Sequence, residues 1–323
     1  MSDLTVPEST DRSTRRLTGR SVSEAMRKGR SRRTAGPSHA TTSTGHVSGL
    51  SIYRPIYLGT QQGGAPAEVG LMYRNMLLAG EPGSGKSVAL NNIVAHAALC
   101  SDVELVLIDG KLVELLPWAP VADTFVGNDP LTCLATLQRV QRIMEARYEQ
   151  LARSGRRKIE VADGMQAIML VIDELAYFSV TVGDEKTRAA FITMVRDLVA
   201  RGRAAGVIVV AATQRPSADI IPTSLRDLFG YRIAFRCTTD SSSDIILGQG
   251  WAKEGYSAKQ INPDDRGVGL LLAEGGLPTR IKTANLTDDD IQILVNRAAW
   301  LRTSTRSLDV ATTDTTATGG EHA

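Results

Sequence analysis

The segment Gly80-Glu-Pro-Gly-Ser-Gly-Lys-Ser87 limits what this chain can fold into more than any other. It fits the pattern GxxxxGK[ST], follows the apolar run Met76–Ala79 and precedes a helix-like stretch, residues 88–99. Phosphates are held by a concave ring of backbone N–H groups at a helix N-terminus, and a chain curls that tightly only where side chains are small. Gly80, Gly83 and Gly85 supply that freedom, and Glu81, Pro82, Ser84 and Val88 complete the cradle. Lys86 is placed to reach the β- and γ-phosphates of ATP, and the Ser87 hydroxyl to take one coordination position on Mg2+. The strand, loop and helix context argues against an ordinary glycine-rich turn.

A phosphate loop alone binds nucleotide without hydrolysing it. The apolar run Ile168-Met-Leu-Val-Ile ends in Asp173-Glu174 and supplies a second acidic position. A carboxylate at that strand end, Asp173, stands beside the phosphate loop where it holds Mg2+ through water. The adjacent Glu174 is the expected general base that polarises the attacking water. A strand-end Asp-Glu that merely caps a following helix is the plainer alternative. The run Val207-Ile-Val-Val-Ala-Ala212 ends in Thr213-Gln214-Arg215-Pro216, which puts the Gln214 amide at the same edge as a candidate γ-phosphate sensor. There the alternative is a turn in which Pro216 ends the strand.

Short apolar runs alternate with longer amphipathic segments, the pattern of an α/β fold with a mostly parallel central sheet and crossover helices. Strands are expected at residues 76–79, 104–108, 168–172, 207–212, 231–237 and 268–273, each apolar enough to be buried on both faces. Leu134, Leu137, Val140, Met144, Tyr148 and Leu151 recur at helical spacing. Residues 1–49 and 303–323 are Ser/Thr/Gly-rich and without period, so they read as disordered tails around one domain at 50–302. The first tail carries the basic cluster Arg27-Lys-Gly-Arg-Ser-Arg-Arg33, a possible phosphate contact or simply a solvated run.

A length of 323 residues with 42% hydrophobic content suffices for one large core, and the net charge of +2 points to no particular partner. The three cysteines, Cys100, Cys133 and Cys237, form no CxxC pair and read as buried thiols of a reducing compartment, not as a zinc site. The chain opens without the apolar core of a signal peptide, and no run approaches the ~18 to 20 apolar residues that span a bilayer. A cytoplasmic location follows as the expectation.

In these motifs the chain resembles the FtsK/SpoIIIE DNA translocases. The resemblance is carried by Leu77-Leu-Ala-Gly80, Gly83-Ser-Gly-Lys-Ser-Val88 and Asn91, and by Ile108-Asp-Gly-Lys111 with Glu114-Leu115, similar to a "DxKxxEL" element. Asp173-Glu-Leu-Ala176, Arg203-Ala-Ala-Gly206, Ala212-Thr-Gln-Arg-Pro-Ser217, Arg232-Ile-Ala-Phe235, Ile246-Leu247 and Gln249-Gly250 follow in family order. The resemblance implies a RecA-like P-loop ATPase that assembles as a ring, usually a homo-hexamer, and drives double-stranded DNA through its pore. In such a ring a neighbour's arginine completes the site, and Arg203 and Arg236 are the positions to test. For Arg203 the competing role is to complement the dipole of a helix whose apolar face is Phe191, Met194, Val195 and Leu198.

Some positions depart from the family pattern. Ser242-Ser-Asp244 puts an acid where the family carries arginine, and Leu270 follows the glycines Gly267 and Gly269 at a position often acidic. Neither a winged-helix domain after residue 286 nor a membrane anchor is expected, although other proteins remain able to recruit the chain to a membrane. The short transfer proteins of actinomycete conjugative plasmids and integrative elements have a similar organisation. Chromosome segregation, a phage translocase, a nucleotide-gated scaffold with little hydrolysis and a motor for protein or single-stranded DNA remain open. The basic stretch Arg153-Ser-Gly-Arg-Arg-Lys158 is a candidate DNA contact.

Overall fold

The computed structural model describes residues 50–317, of which 304–317 by backbone alone. The whole of the first tail, residues 1–49 with the basic cluster at 27–33, and residues 318–323 of the second lie outside the described residues. In chain order the elements are β1 (Ile56–Gln61), β2 (Pro66–Val69), β3 (Met76–Ala79), α1 (Lys86–Ala98), β4 (Val103–Ile108), β5 (Thr124–Val126), α2 (Pro130–Arg153) and β6 (Ala167–Ile172). They continue with α3 (Glu185–Arg201), β7 (Val207–Thr213), α4 (Thr223–Arg226), β8 (Tyr231–Phe235), α5 (Asp240–Leu247), β9 (Val268–Ala273), β10 (Thr279–Thr283) and α6 (Asp288–Ala317).

The strands form one ten-stranded sheet in the order β2-β1-β10-β9-β8-β3-β7-β6-β4-β5. From β8 to β5 every neighbour is parallel, and from β8 back to β2 every neighbour is antiparallel. The parallel strands are short apolar runs because helices cover both of their faces. In β7, Ile208, Val210 and Ala212 join the apolar cluster under α1 and α6, while Val207, Val209 and Ala211 join the one under α2, α3 and α5. The six expected strands are observed within one residue at each end, except that β8 stops two residues early at Phe235 and leaves the Cys237 N–H donating to the Ala258 carbonyl.

Helix α2 begins where Asp129 caps it, its carboxylate accepting from the N–H groups of Leu131 and Thr132, with Pro130 at the first helical position. Its inward face is Leu137, Val140 and Met144, as the spacing requires. Helix α6 runs on to Ala317, where the sequence led us to expect a patternless stretch from residue 303. All three cysteines are free and buried, and burial pushes the thiols of Cys133 and Cys237 up to about 12, so both behave as small apolar side chains.

Candidate nucleotide site

In a doubly wound sheet ligands gather at the carboxyl ends of the parallel strands. Here β3, β6 and β7 are neighbours or next neighbours, and their ends carry the 80–87 loop, Asp173-Glu174 and Thr213-Gln214. The loop is fastened to that edge by backbone bonds: the Gly80 N–H donates to the Thr213 carbonyl at 3.3 Å and the Glu81 N–H to the Arg236 carbonyl at 3.0 Å. Gly83 and Gly85 take φ of 74° and 105°, in the left-handed region that favours glycine. Gly85 also meets another backbone, since a Cβ there would lie 2.3 Å from the Gly267 N and Cα. The Gly267 N–H donates to the Ser84 carbonyl at 2.8 Å, which joins the start of β9 to the loop.

Lys86 is the first residue of α1 and is buried. Its ammonium donates to Asp173 Oδ1 at 2.6 Å and to the Asp173 carbonyl at 3.1 Å. Asp173 is fully buried, and its second oxygen, Oδ2, has no protein donor. A buried carboxylate oxygen without a partner is costly unless a ligand or solvent serves it. Among the described residues no group of three or more His, Cys, Asp or Glu forms a metal cage. Mg2+ needs none, because in phosphate sites it takes most of its ligands from phosphate and water. Asp173 Oδ2 and the half-buried Ser87 hydroxyl fit such an ion.

Glu174 is also buried, and donors surround it. Thr213 Oγ1 donates to Oε1 at 2.5 Å, the Gln214 N–H to Oε2 at 3.1 Å, the Ala176 N–H to Oε1 at 3.3 Å, and the Lys111 ammonium to Oε2 at 3.3 Å. Gln214 lines an open cleft of about 610 Å3, together with Lys86, Ser87, Glu114, Arg266, Lys282 and Asn285.

Every nucleotide-loop position picked out in the sequence, with Asp173, Glu174 and Gln214, therefore meets at one edge. The two arginines do not meet there in the same way. Arg236 lies against this chain's own loop, its guanidinium 2.7 Å from Glu81 Oε2. Arg203 lies beyond the end of α3, just before β7 and so at the opposite edge of the sheet. It donates to the Tyr73 carbonyl at 2.9 Å and to Glu274 at 2.7 Å. In the last turn of α3 the basic residue is Arg201, and Arg203 follows the helix end with its guanidinium bonded to Tyr73 and Glu274.

Asp244, which departs from the family pattern, shapes the turn after α5, because its carboxylate accepts from the Gly250 and Ala252 N–H groups. The basic stretch at 153–158 is largely occupied at home. Arg153 pairs with Glu149, Arg156 with Asp163, and Lys158 lies 4.5 Å above the Tyr73 ring. Sequence reasoning gave no site role to Lys111, Thr213, Glu114 or the 266–285 wall. For Lys111 and Glu114 the signal was the Asp-Gly-Lys element itself; Lys282 and Asn285 stand in no recognisable pattern.

Residues 54–167 match the model of the FtsK/SpoIIIE family. The DNA translocase FtsK of Staphylococcus aureus strain Mu50 is 30% identical over 263 residues, covering 75% of this chain and 32% of that protein. The DNA translocase FtsK of Bradyrhizobium diazoefficiens is 29% identical over 285 residues, covering 75% and 33%. The chain thus spans about a third of the length of these relatives. Among solved structures, the pCW3 conjugation coupling protein TcpA with ATPγS superposes with a TM-score of 0.66 at 24% identity, over 77% of this chain and 70% of that one. The type VII secretion ATPase EccC of Thermomonospora curvata follows with a TM-score of 0.60 at 20% identity, over 77% and 31%. Both share the fold described above.

Proposed function

We propose that this chain, which carries a domain of the FtsK/SpoIIIE family over residues 54–167, is an ATP-hydrolysing motor that moves double-stranded DNA. One observation carries the reading: Lys86, Asp173, Glu174 and Gln214 converge at a single sheet edge beside an open cleft of about 610 Å3. The loop's N–H groups bind the β- and γ-phosphates, and Lys86 is shared between them and Asp173. Mg2+ bound there supplies Lewis-acid neutralisation of the phosphate charge, with Ser87 and Asp173 as its protein-side anchors. Glu174 takes the proton of the attacking water, and Gln214, whose N–H touches Glu174 and which lines the cleft, senses the γ-phosphate.

A ring places each cleft at a subunit boundary, and a residue that acts in trans must lie away from its own nucleotide. Arg203 meets that condition and Arg236 does not, since Glu81 holds it at its own loop. We therefore assign the trans arginine of a homo-hexamer to Arg203 and a cis role to Arg236. Among the described residues no helix is long and apolar enough to cross a membrane. The chain works in the cytoplasm, in transfer of a conjugative plasmid or integrative element.

The test is steady-state ATP hydrolysis by the purified protein with and without double-stranded DNA, with Glu174→Gln as control. Stimulation that disappears in the variant supports the motor. Absence of stimulation at every salt and protein concentration rejects it in favour of a nucleotide-gated scaffold.

A further inference from the structure

A general base needs a lone pair turned toward the water it deprotonates, at about 2.6 to 3.2 Å. Both carboxylate oxygens of Glu174 already accept from protein donors. The Ala176 and Gln214 N–H groups and the Thr213 hydroxyl belong to the frame at the ends of β6 and β7. Lys111 differs from them. Its ammonium, 3.3 Å from Oε2, ends a flexible side chain that is 38% exposed, so it is the donor that can leave without unfolding anything.

The loop that presents Lys111 is built as one piece. Asp109 is fully buried, and its two oxygens accept from the N–H groups of Lys111, Leu112, Val113 and Leu115. Leu112 takes a left-handed φ of 57°, a conformation that costs a leucine about 1 to 2 kcal/mol. Its side chain packs on Gly127, where a Cβ would lie 2.9 Å away. Gly110 lies so close to the Tyr177 ring that a Cβ there would be 2.3 Å from it, and Tyr177 opens the π-helical turn that follows Glu174. The loop is thus docked on the segment that carries the base, while Val113 and Leu116 expose their side chains to solvent.

We propose that Lys111 is a positioning residue that latches Glu174, so that turnover requires its ammonium to leave Oε2, as it does when the Asp109-anchored loop moves. The inference rests on the reading of Glu174 as general base, and it adds a restraint on that base which the nucleotide loop does not supply. Displacing the loop withdraws the ammonium and frees one lone pair of Oε2, which still accepts from the Gln214 N–H, while Thr213 and the backbone N–H groups aim the carboxylate. In this way an event at an exposed loop is read by the water-activating group with no change at the phosphate loop.

The test compares the full chain with Lys111→Met, Lys111→Gln and Lys111→Arg by steady-state ATP hydrolysis across ATP concentrations, with and without double-stranded DNA. In Lys111→Met, kcat without DNA rises about tenfold, the order expected when one hydrogen bond to a charged group is removed, and in Lys111→Gln, which keeps a neutral donor, it rises by less. KM stays within about twofold and the ratio of stimulated to basal rate shrinks, while Lys111→Arg restores the wild-type pattern. Equal or lower basal kcat in both uncharged variants, with melting temperature and nucleotide binding kept, overturns the latch. If the wild type hydrolyses ATP and the variants match it, the latch alone falls. If the wild type is silent and Lys111→Met hydrolyses, the latch stands and the stimulating ligand is not DNA. If both are silent, the latch falls with the motor.

Discussion

In the parallel half of the sheet, β3, β6 and β7 are buried at every position, whereas in the antiparallel wing β2 and β10 alternate between buried and exposed residues. Helices press on both faces of the first, and one face of the wing stays open to water. The halves divide the site between them. The parallel half contributes charged groups whose positions a dry, two-sided core fixes: Lys86, Asp173 and Glu174. The wing contributes a wall, Arg266, Gly267, Lys282 and Thr283, that closes the cleft from the side. Chemistry concentrates where backbone and side chains are over-determined, and the solvent-washed wing shapes the space around it.

If that division is right, damage in the parallel half strikes stability and chemistry together. Lys86→Ala removes one partner of a pair whose side chains are 3% and 0% exposed and leaves the Asp173 carboxylate uncompensated. The expected loss is about 3 to 5 kcal/mol in denaturant unfolding, with hydrolysis at background. A variant as stable as the wild type would show that solvent reaches Asp173 and that the dry-core account is mistaken. A purely apolar comparison comes next. Leu170→Ala in β6 is expected to cost about 2 to 5 kcal/mol, and Val69→Ala at the edge of the wing about 1 to 2 kcal/mol. Equal losses would mean that the wing is as integral to the fold as the parallel core.

The same contrast explains what the sequence revealed. Runs such as Ile168-Met-Leu-Val-Ile and Val207-Ile-Val-Val-Ala-Ala announce their strands because two-sided burial demands unbroken apolar residues. Strands β1, β2, β5 and β10 went unseen, since segments such as Pro-Ala-Glu-Val and Thr-Arg-Ile-Lys-Thr are stabilised by their neighbours and not by any preference of their own. At the site, the nucleotide loop and Asp173-Glu174 were legible because backbone geometry and strand position dictate the residue types. Thr213 and Lys111 were not assigned roles, because their partner Glu174 lies 39 and 63 residues away and only the folded sheet brings them together. For Arg203 the sequence left two readings, a trans arginine and a helix-terminal cation, and only the folded sheet shows its guanidinium on Tyr73 and Glu274 at the far edge.

The joint between the halves offers a sharper test. Gly267 has φ of 78°, and a Cβ there would lie 2.7 Å from Thr283 Oγ1. Gly267→Ala is expected to lose about 1 to 2 kcal/mol of stability from the backbone conformation alone. Because the Gly267 N–H holds the Ser84 carbonyl, the substitution also loosens the phosphate loop, and nucleotide affinity falls with it. Calorimetric titration with ATPγS checks this, and unchanged affinity at reduced stability would detach the wing from the loop.

The smallest effect should come from Lys282, which stands on β10 in the cleft wall, is exposed, and donates to the Arg266 carbonyl. Its ammonium is too far into solvent to matter for folding, and it touches none of Lys86, Asp173 or Glu174. What it adds to a bound nucleotide is the attraction of one solvated charge, worth about 0.2 to 1 kcal/mol. Lys282→Ala should therefore raise KM for ATP by about two- to fivefold and leave kcat and the melting temperature as they were. A fall in kcat of more than about tenfold at saturating ATP would show that Lys282 acts in the transition state, which would move part of the chemistry into the wing and end the division between the two halves.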